Sequence, residues 1–62
     1  MKVKYTLNNY QVGAKLKTAP VHKMIRQERV DSLHTEVVFE ITDAQKDFCD
    51  MLFAKKGKII EG

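Results

Sequence analysis

Apolar and polar residues alternate from the first positions of the chain. Lys2-Val3-Lys4-Tyr5-Thr6-Leu7 sets Val3, Tyr5 and Leu7 at period two, and after Asn8-Asn9 the alternation resumes at Tyr10, Val12, Ala14 and Leu16. Period two is the mark of a strand with one buried face. Asn tolerates the left-handed backbone that a tight two-residue turn demands, so the pattern predicts a hairpin over 2–7 and 10–17. In that register Leu7 opposes Tyr10, Tyr5 opposes Val12 and Val3 opposes Ala14, with all six on one side. A further strand is predicted over 33–41. There Leu33, Thr35, Val37, Phe39 and Ile41 share one face, and His34, Glu36, Val38 and Glu40 share the other.

The period then changes. Thr42-Asp43-Ala44-Gln45 is a capping box, whose Thr hydroxyl and Gln side chain can satisfy backbone amides left open at a helix start. Ala44, Phe48, Met51, Leu52 and Lys55 follow at i, i+4, i+7, i+8 and i+11, an apolar stripe closed by a lysine stem. Asp43 in the first turn and Lys55 and Lys56 in the last suit the helix dipole, and Gly57 offers a left-handed stop. These signals predict a helix over 43–56 that rests on the sheet through Ala44, Phe48, Met51 and Leu52. Residues 18–32 have no clean period. Pro20 could start a short helix and His22–Arg29 contains good helix formers, while Gln27 or Glu28 could turn between extended pieces, so a short helix or an irregular crossing is expected. The tail from Lys58 to Gly62 reads as a short strand or a packed extension. The expected fold is α+β, one domain over 1–62: a small antiparallel sheet, hairpin plus strand 33–41, covered by the C-terminal helix.

Composition adds limits. A chain of 62 residues buries a thin core, and such domains often lean on disulfides, a metal or self-association. Cys49 is the only cysteine, which rules out an internal disulfide and suits a reducing, cytoplasmic setting. The opening residues lack the apolar core of a signal peptide and no apolar run is long enough to cross a bilayer, so no membrane role is expected.

Candidate chemistry changes the picture little. Cys49 beside Phe48 and Leu52 reads as a small packing group, and neither His22 nor His34 lies in a nucleophile motif. Asp43, Asp47 and Asp50 read as solvated helix acids, with Lys46 four residues before Asp50. His34, Glu36 and Glu40 fall short of a metal set, and Gly13, Gly57 and Gly62 form no phosphate loop. No cofactor, metal or small-molecule substrate is implied, and a catalytic role is not expected.

Charge is the more informative property. Residues 1–30 carry seven cations against Glu28 alone, and residues 31–62 carry seven acids against four lysines, so halves of +6 and −3 make the net +3. The predicted hairpin gathers Lys2, Lys4, Lys15 and Lys17 on its polar face, and Arg26 and Arg29 could extend that surface along a phosphate backbone. Against this stand the absence of a stacking aromatic on that face and the acids Glu36 and Glu40, which would neutralise the lysines if strand 33–41 lies alongside. The leading expectation is therefore a small regulatory protein that works by protein–protein contact, with a homodimer among its forms. Phe53, well off the helix stripe, and Val38, on the polar face of its strand, are the candidate contacts. For Phe53 the preferred reading is cover by Ile59 and Ile60 folding back past Gly57, and for Val38 the plain one is an ordinary exposed apolar residue. Nucleic-acid binding through Lys2, Lys4, Lys15, Lys17, Arg26 and Arg29 is the second reading.

Overall fold

Strand β1 (Lys2–Asn8) forms where the alternation places it, in the interior of the sheet. In the computed structural model, which describes all 62 residues, β1 lies between β3 (His34–Glu40) and β4 (Lys58–Glu61), antiparallel to both. Strand β2 (Met24–Arg29) pairs antiparallel with the far side of β3, giving the order β2-β3-β1-β4. A short helix α1 (Val12–Leu16) and one 3-10 turn (Val21–Lys23) join β1 to β2, and helix α2 (Asp43–Phe53) joins β3 to β4. Strands β1 and β2 thus run parallel with β3 between them, and β3 and β4 run parallel with β1 between them. Two interleaved split β-α-β units of this kind make the ferredoxin-like connectivity, here with α1 reduced to little more than a turn. The fold is α+β as expected, with α2 covering the antiparallel sheet.

The partner of β1 is the first departure from expectation. The hairpin over 2–7 and 10–17 does not form, because Val12–Leu16 is helical. Val12 and Leu16 satisfy a four-residue spacing as well as an alternating one, and as a helix both pack against the core. Strand β1 then gains larger partners than the hairpin offered: Val3 lies opposite Phe39 and Tyr5 opposite Val37. The Asn pair still turns the chain, with the Asn8 side chain accepting from the Tyr10 amide at 2.9 Å. Asn9 is tied to the β2–β3 turn, its amide donating to the Leu33 carbonyl at 2.7 Å. The second departure is β2, which replaces the short helix or irregular crossing. It is an edge strand with a bulge between Met24 and Arg26, and only Met24 contributes to the core.

Helix α2 begins at the predicted box: Thr42 Oγ1 accepts from the Gln45 amide and the Gln45 side chain accepts from the Thr42 amide. It stops earlier than position 56. Phe53 is its last residue, and Ala54 takes the left-handed conformation at φ 55°, at a cost of about 1 kcal/mol for a residue with a Cβ. Gly57 has a different role from the stop assigned to it. A Cβ there would lie 2.5 Å from both Tyr5 Cζ and Val3 Cγ1, so only glycine lets the backbone cross the core and enter β4.

The helix is also rotated from the expected stripe. Cys49 and Phe53 face the sheet, whereas Met51 is 83% exposed and Phe48 is 52% exposed. Phe53, a candidate contact, is 4% exposed. It is enclosed by the sheet, tilted against Tyr5 at 4.7 Å and stacked on Phe39 at 6.0 Å between ring centroids. Ile59, paired with Val3, and Ile60 are themselves about half exposed on β4. The core comprises Val3, Tyr5, Leu7, Val37, Phe39, Ile41, Cys49 and Phe53.

A polar network fixes this rotation. The Tyr5 hydroxyl donates to Asp50 Oδ1 at 2.7 Å, the Gly57 amide donates to the same oxygen at 2.9 Å, and Lys46 Nζ donates to Asp50 Oδ2 at 2.9 Å. Burial alone would raise the Asp50 carboxyl, but the bonds from Lys46, Gly57 and Tyr5 outweigh it and hold the pKa at about 2. Burial, reinforced by the Asp50 charge, pushes the Tyr5 hydroxyl well above its usual range, so it stays a donor.

Two predictions test this packing. Phe53→Ala should cost about 3–4 kcal/mol, most of what a domain of this size holds, while Met51→Ala should stay within about 0.5 kcal/mol of wild type in urea unfolding. Because the folded Asp50 pKa lies below its ordinary value of 3.8, its contribution is complete above about pH 4 and is lost as pH falls towards 2. Asp50→Asn should cost about 1 kcal/mol at pH 7, allowing for the partial exposure of the pair, and should flatten the acid limb of stability measured between pH 2 and 5.

Candidate binding surfaces

The sheet has two faces, and only one is covered by helices. On the open face, side chains line up in rows across the strands. Glu40 of β3, Lys2 of β1 and Glu61 of β4 make one row; Arg26, Val38, Lys4 and Lys58 make the next; Glu28, Glu36 and Thr6 make the third. Acidic rows therefore flank a mainly basic one. Lys2 meets Glu61 at 3.3 Å, Lys4 meets Glu36 at 3.8 Å, and Arg26 bridges Glu28 at 3.4 Å and Glu36 at 3.2 Å. Arg26 thereby relieves the like-charge opposition of Glu28 and Glu36.

The six cations grouped by the sequence reading are separated by this arrangement. Lys2, Lys4 and Arg26 share the open face. Lys15 sits on α1, on the helical side of the sheet, and donates to the Leu52 carbonyl at 3.0 Å. Lys17 lies just beyond α1, and Arg29 ends β2 with its guanidinium on the Asp31 and Ser32 carbonyls. With α1 helical, the four-lysine ribbon does not exist. The open face also carries no aromatic ring, because Tyr5 and Phe39 point into the core, so bases have no platform to stack on.

Val38 is likewise not a free contact. It projects from the open face yet is 2% exposed, flanked by Lys4 and Arg26, whose charged ends both meet at Glu36. Long cationic side chains commonly lie over an apolar neighbour in this way.

Cys49 is fully buried, and burial, with a smaller push from Asp50, raises its thiol pKa. A thiol in that state is a poor nucleophile and a good packing group. The surface has no concave pocket, and no cluster of His, Cys, Asp and Glu converges as metal ligands would.

The sheet edges are guarded. β2 carries Arg26, Glu28 and Arg29 and a bulge, and β4 is four residues long, flanked by Lys58 and Glu61, with a bulge of its own. Short, charged, bulged edges resist strand addition.

The outward face of α2 bears exposed apolar residues at helical spacing, whereas the other exposed ones, Tyr10, Val21, Ile25, Val30, Leu33, Ile59 and Ile60, lie in turns or on the two edge strands. Ala44, Phe48 and Met51 fall at i, i+4 and i+7, with half-buried Leu52 beside them. This is the stripe the sequence reading assigned to the core. Tyr5 is the residue that could have corrected it. A hydroxyl on a buried face needs a partner, and the Lys46–Asp50 pair at i, i+4 supplies one only if that side of α2 faces the sheet. No known protein family, curated protein or solved structure matches the chain, so the surfaces are judged on their chemistry.

Glu36 carries the neutralisation of the open face. Glu36→Gln would release Lys4 and Arg26 from their shared carboxylate, so the variant should leave a heparin column at clearly higher salt than wild type. Unchanged elution would show that these cations were already free.

Proposed function

We propose that this chain acts by binding, through protein–protein contact at the outward face of α2. The observation that carries the reading is the adjacent exposure of Phe48 and Met51, 52% and 83%, on a helix whose opposite side is fully engaged by the sheet. Apolar residues at i, i+4 and i+7 are the anchors by which an amphipathic helix is recognised, and a contiguous apolar strip means more than scattered exposed residues. Such a domain serves as a regulator or inhibitor of a larger partner, and a second copy is one form that partner could take. No helix is long and apolar enough to cross a membrane, and the lone, enclosed thiol suits the cytoplasmic setting that belongs to this proposal.

Nucleic-acid binding is the weaker reading, because Lys2, Lys4 and Arg26 are already matched by Glu61, Glu36 and Glu28. The test is capture from the host-cell lysate with and without nuclease, using wild type and a Phe48→Ser/Met51→Ser variant whose fold is checked by circular dichroism. A protein retained after nuclease treatment and lost with the variant is the expected result. Capture that nuclease abolishes, and that depends on Lys2, Lys4 and Arg26, would replace this reading with the nucleic-acid one.

A further inference from the structure

The pairing of acids across the molecule points to the chemistry of the partner. Six of the eight carboxylates are matched. Glu28 and Glu36 meet Arg26, Glu36 also meets Lys4, Glu40 meets the Met1 ammonium, Glu61 meets Lys2, Asp50 meets Lys46, and Asp31 meets His34. Asp43 and Asp47 alone have neither a cation nor, as Asp31 has in the His34 ring, a hydrogen-bonding side chain, in a chain whose net charge is +3 with both histidines neutral. Both are exposed on α2. Four residues apart, they stand about 6 Å from each other on one helix flank, and the 100° step per residue sets them beside Ala44 and Met51.

Asp43 has a local reason to be there, since a carboxylate in the first turn favours the helix dipole. Asp47, a turn further on, has none. Lys46, its sequence neighbour, is turned towards Asp50. Cations are plentiful elsewhere, and Lys17, Lys23, Lys56 and Lys58 make no ion pair, yet none lies against this flank.

We infer that the α2 face receives an amphipathic helix of another protein whose apolar side chains cover Phe48 and Met51, and whose Lys or Arg side chains, four residues apart, meet Asp43 and Asp47. This deepens the protein-contact reading and rests on it. An apolar strip bordered on one side by unmatched acids discriminates between otherwise similar apolar helices, admitting basic ones and rejecting acidic ones. A second copy of the chain fits less well. In an antiparallel pairing about a two-fold axis, the Asp43–Asp47 flank of one α2 would lie along the same flank of the other and bring like charges together.

The probe is a synthetic amphipathic peptide of about 18 residues with leucines at helical spacing and lysines along one border, compared with a twin carrying glutamates instead. Each is titrated into the full ¹⁵N-labelled chain at low salt while amide shifts are followed. The lysine peptide should shift residues 43–52 and bind about tenfold tighter than its twin. Asp43→Asn/Asp47→Asn should erase that preference, and Met51→Ser should weaken both peptides. Equal affinity for the two peptides would overturn the charge inference while leaving apolar contact at α2 intact. No shifts at 43–52 with either peptide, or shifts confined to Glu40 and Glu61 on the open face, would also overturn it. Sedimentation showing a dimer that Met51→Ser dissociates would assign the face to a second copy and overturn it too. The underlying reading fails separately, if the Phe48→Ser/Met51→Ser variant still captures the same nuclease-resistant protein from lysate.

Discussion

A tyrosine hydroxyl facing the interior has to be satisfied, and the way Tyr5 is satisfied sets most of this molecule. The ring belongs to the apolar face of β1, but its oxygen reaches the level of the covering helix, where an unpaired hydroxyl would cost about 1–3 kcal/mol. Asp50 meets it at 2.7 Å. For Asp50 to be there, α2 must turn the side bearing Lys46, Cys49, Asp50 and Phe53 towards the sheet. Phe53 then falls onto the Tyr5 ring, and Phe48 and Met51 are left outside. The same carboxylate holds the Gly57 amide, so the path from α2 into β4 hangs on one polar atom as well. One acid thus joins a strand, a helix and a turn.

Much of the fold was legible in the residues, and the gaps have physical causes. β1, β3 and the start of α2 carry strong local signals, since alternation over six or seven residues and a reciprocal capping box have few other readings. The expected hairpin gives way to α1 because Val12, Ala14 and Leu16 alternate while Val12 and Leu16 also fit one side of a helix. Five residues cannot separate the two periods, and the decision falls to the larger side chains that β3 offers β1. β2 is hidden because an edge strand with one half-buried residue and five exposed ones shows no pattern, and its Arg, Gln and Glu are better helix formers than strand formers. The rotation of α2 does not follow from hydrophobicity, which alone would place Phe48 and Met51 inside. The true inner side contains a lysine and an aspartate, which look like surface until Tyr5 is seen to need them.

The candidate surfaces follow from the same logic. Charge in the first half of the chain was visible as an excess of cations, and its neutralisation depended on a strand order that no local pattern reveals. Once β3 lies between β2 and β1, Glu36 sits within reach of both Arg26 and Lys4, and the apparent basic patch becomes a lattice of opposite charges. Val38 is covered by the same neighbours. The asymmetry of +6 and −3 between the halves is thus partly a description of strands made to face each other, through Lys2, Lys4 and Arg26, and the apolar strip on α2 is a part of the surface that the fold itself leaves unmatched.

The position of β1 has a consequence for the order in which this chain can acquire structure. It precedes both of its neighbours in the sequence, yet β3 begins at His34 and β4 at Lys58. During synthesis the central strand must therefore wait, unpaired on either side, until more than half of the chain has followed it. Closing a loop of that length before any contact repays it is the slow step expected of such a topology. The interval is the time when Val3, Tyr5 and Leu7 are open to other chains, and Lys2 and Lys4, on either side of Val3, are the charges that oppose its association with them.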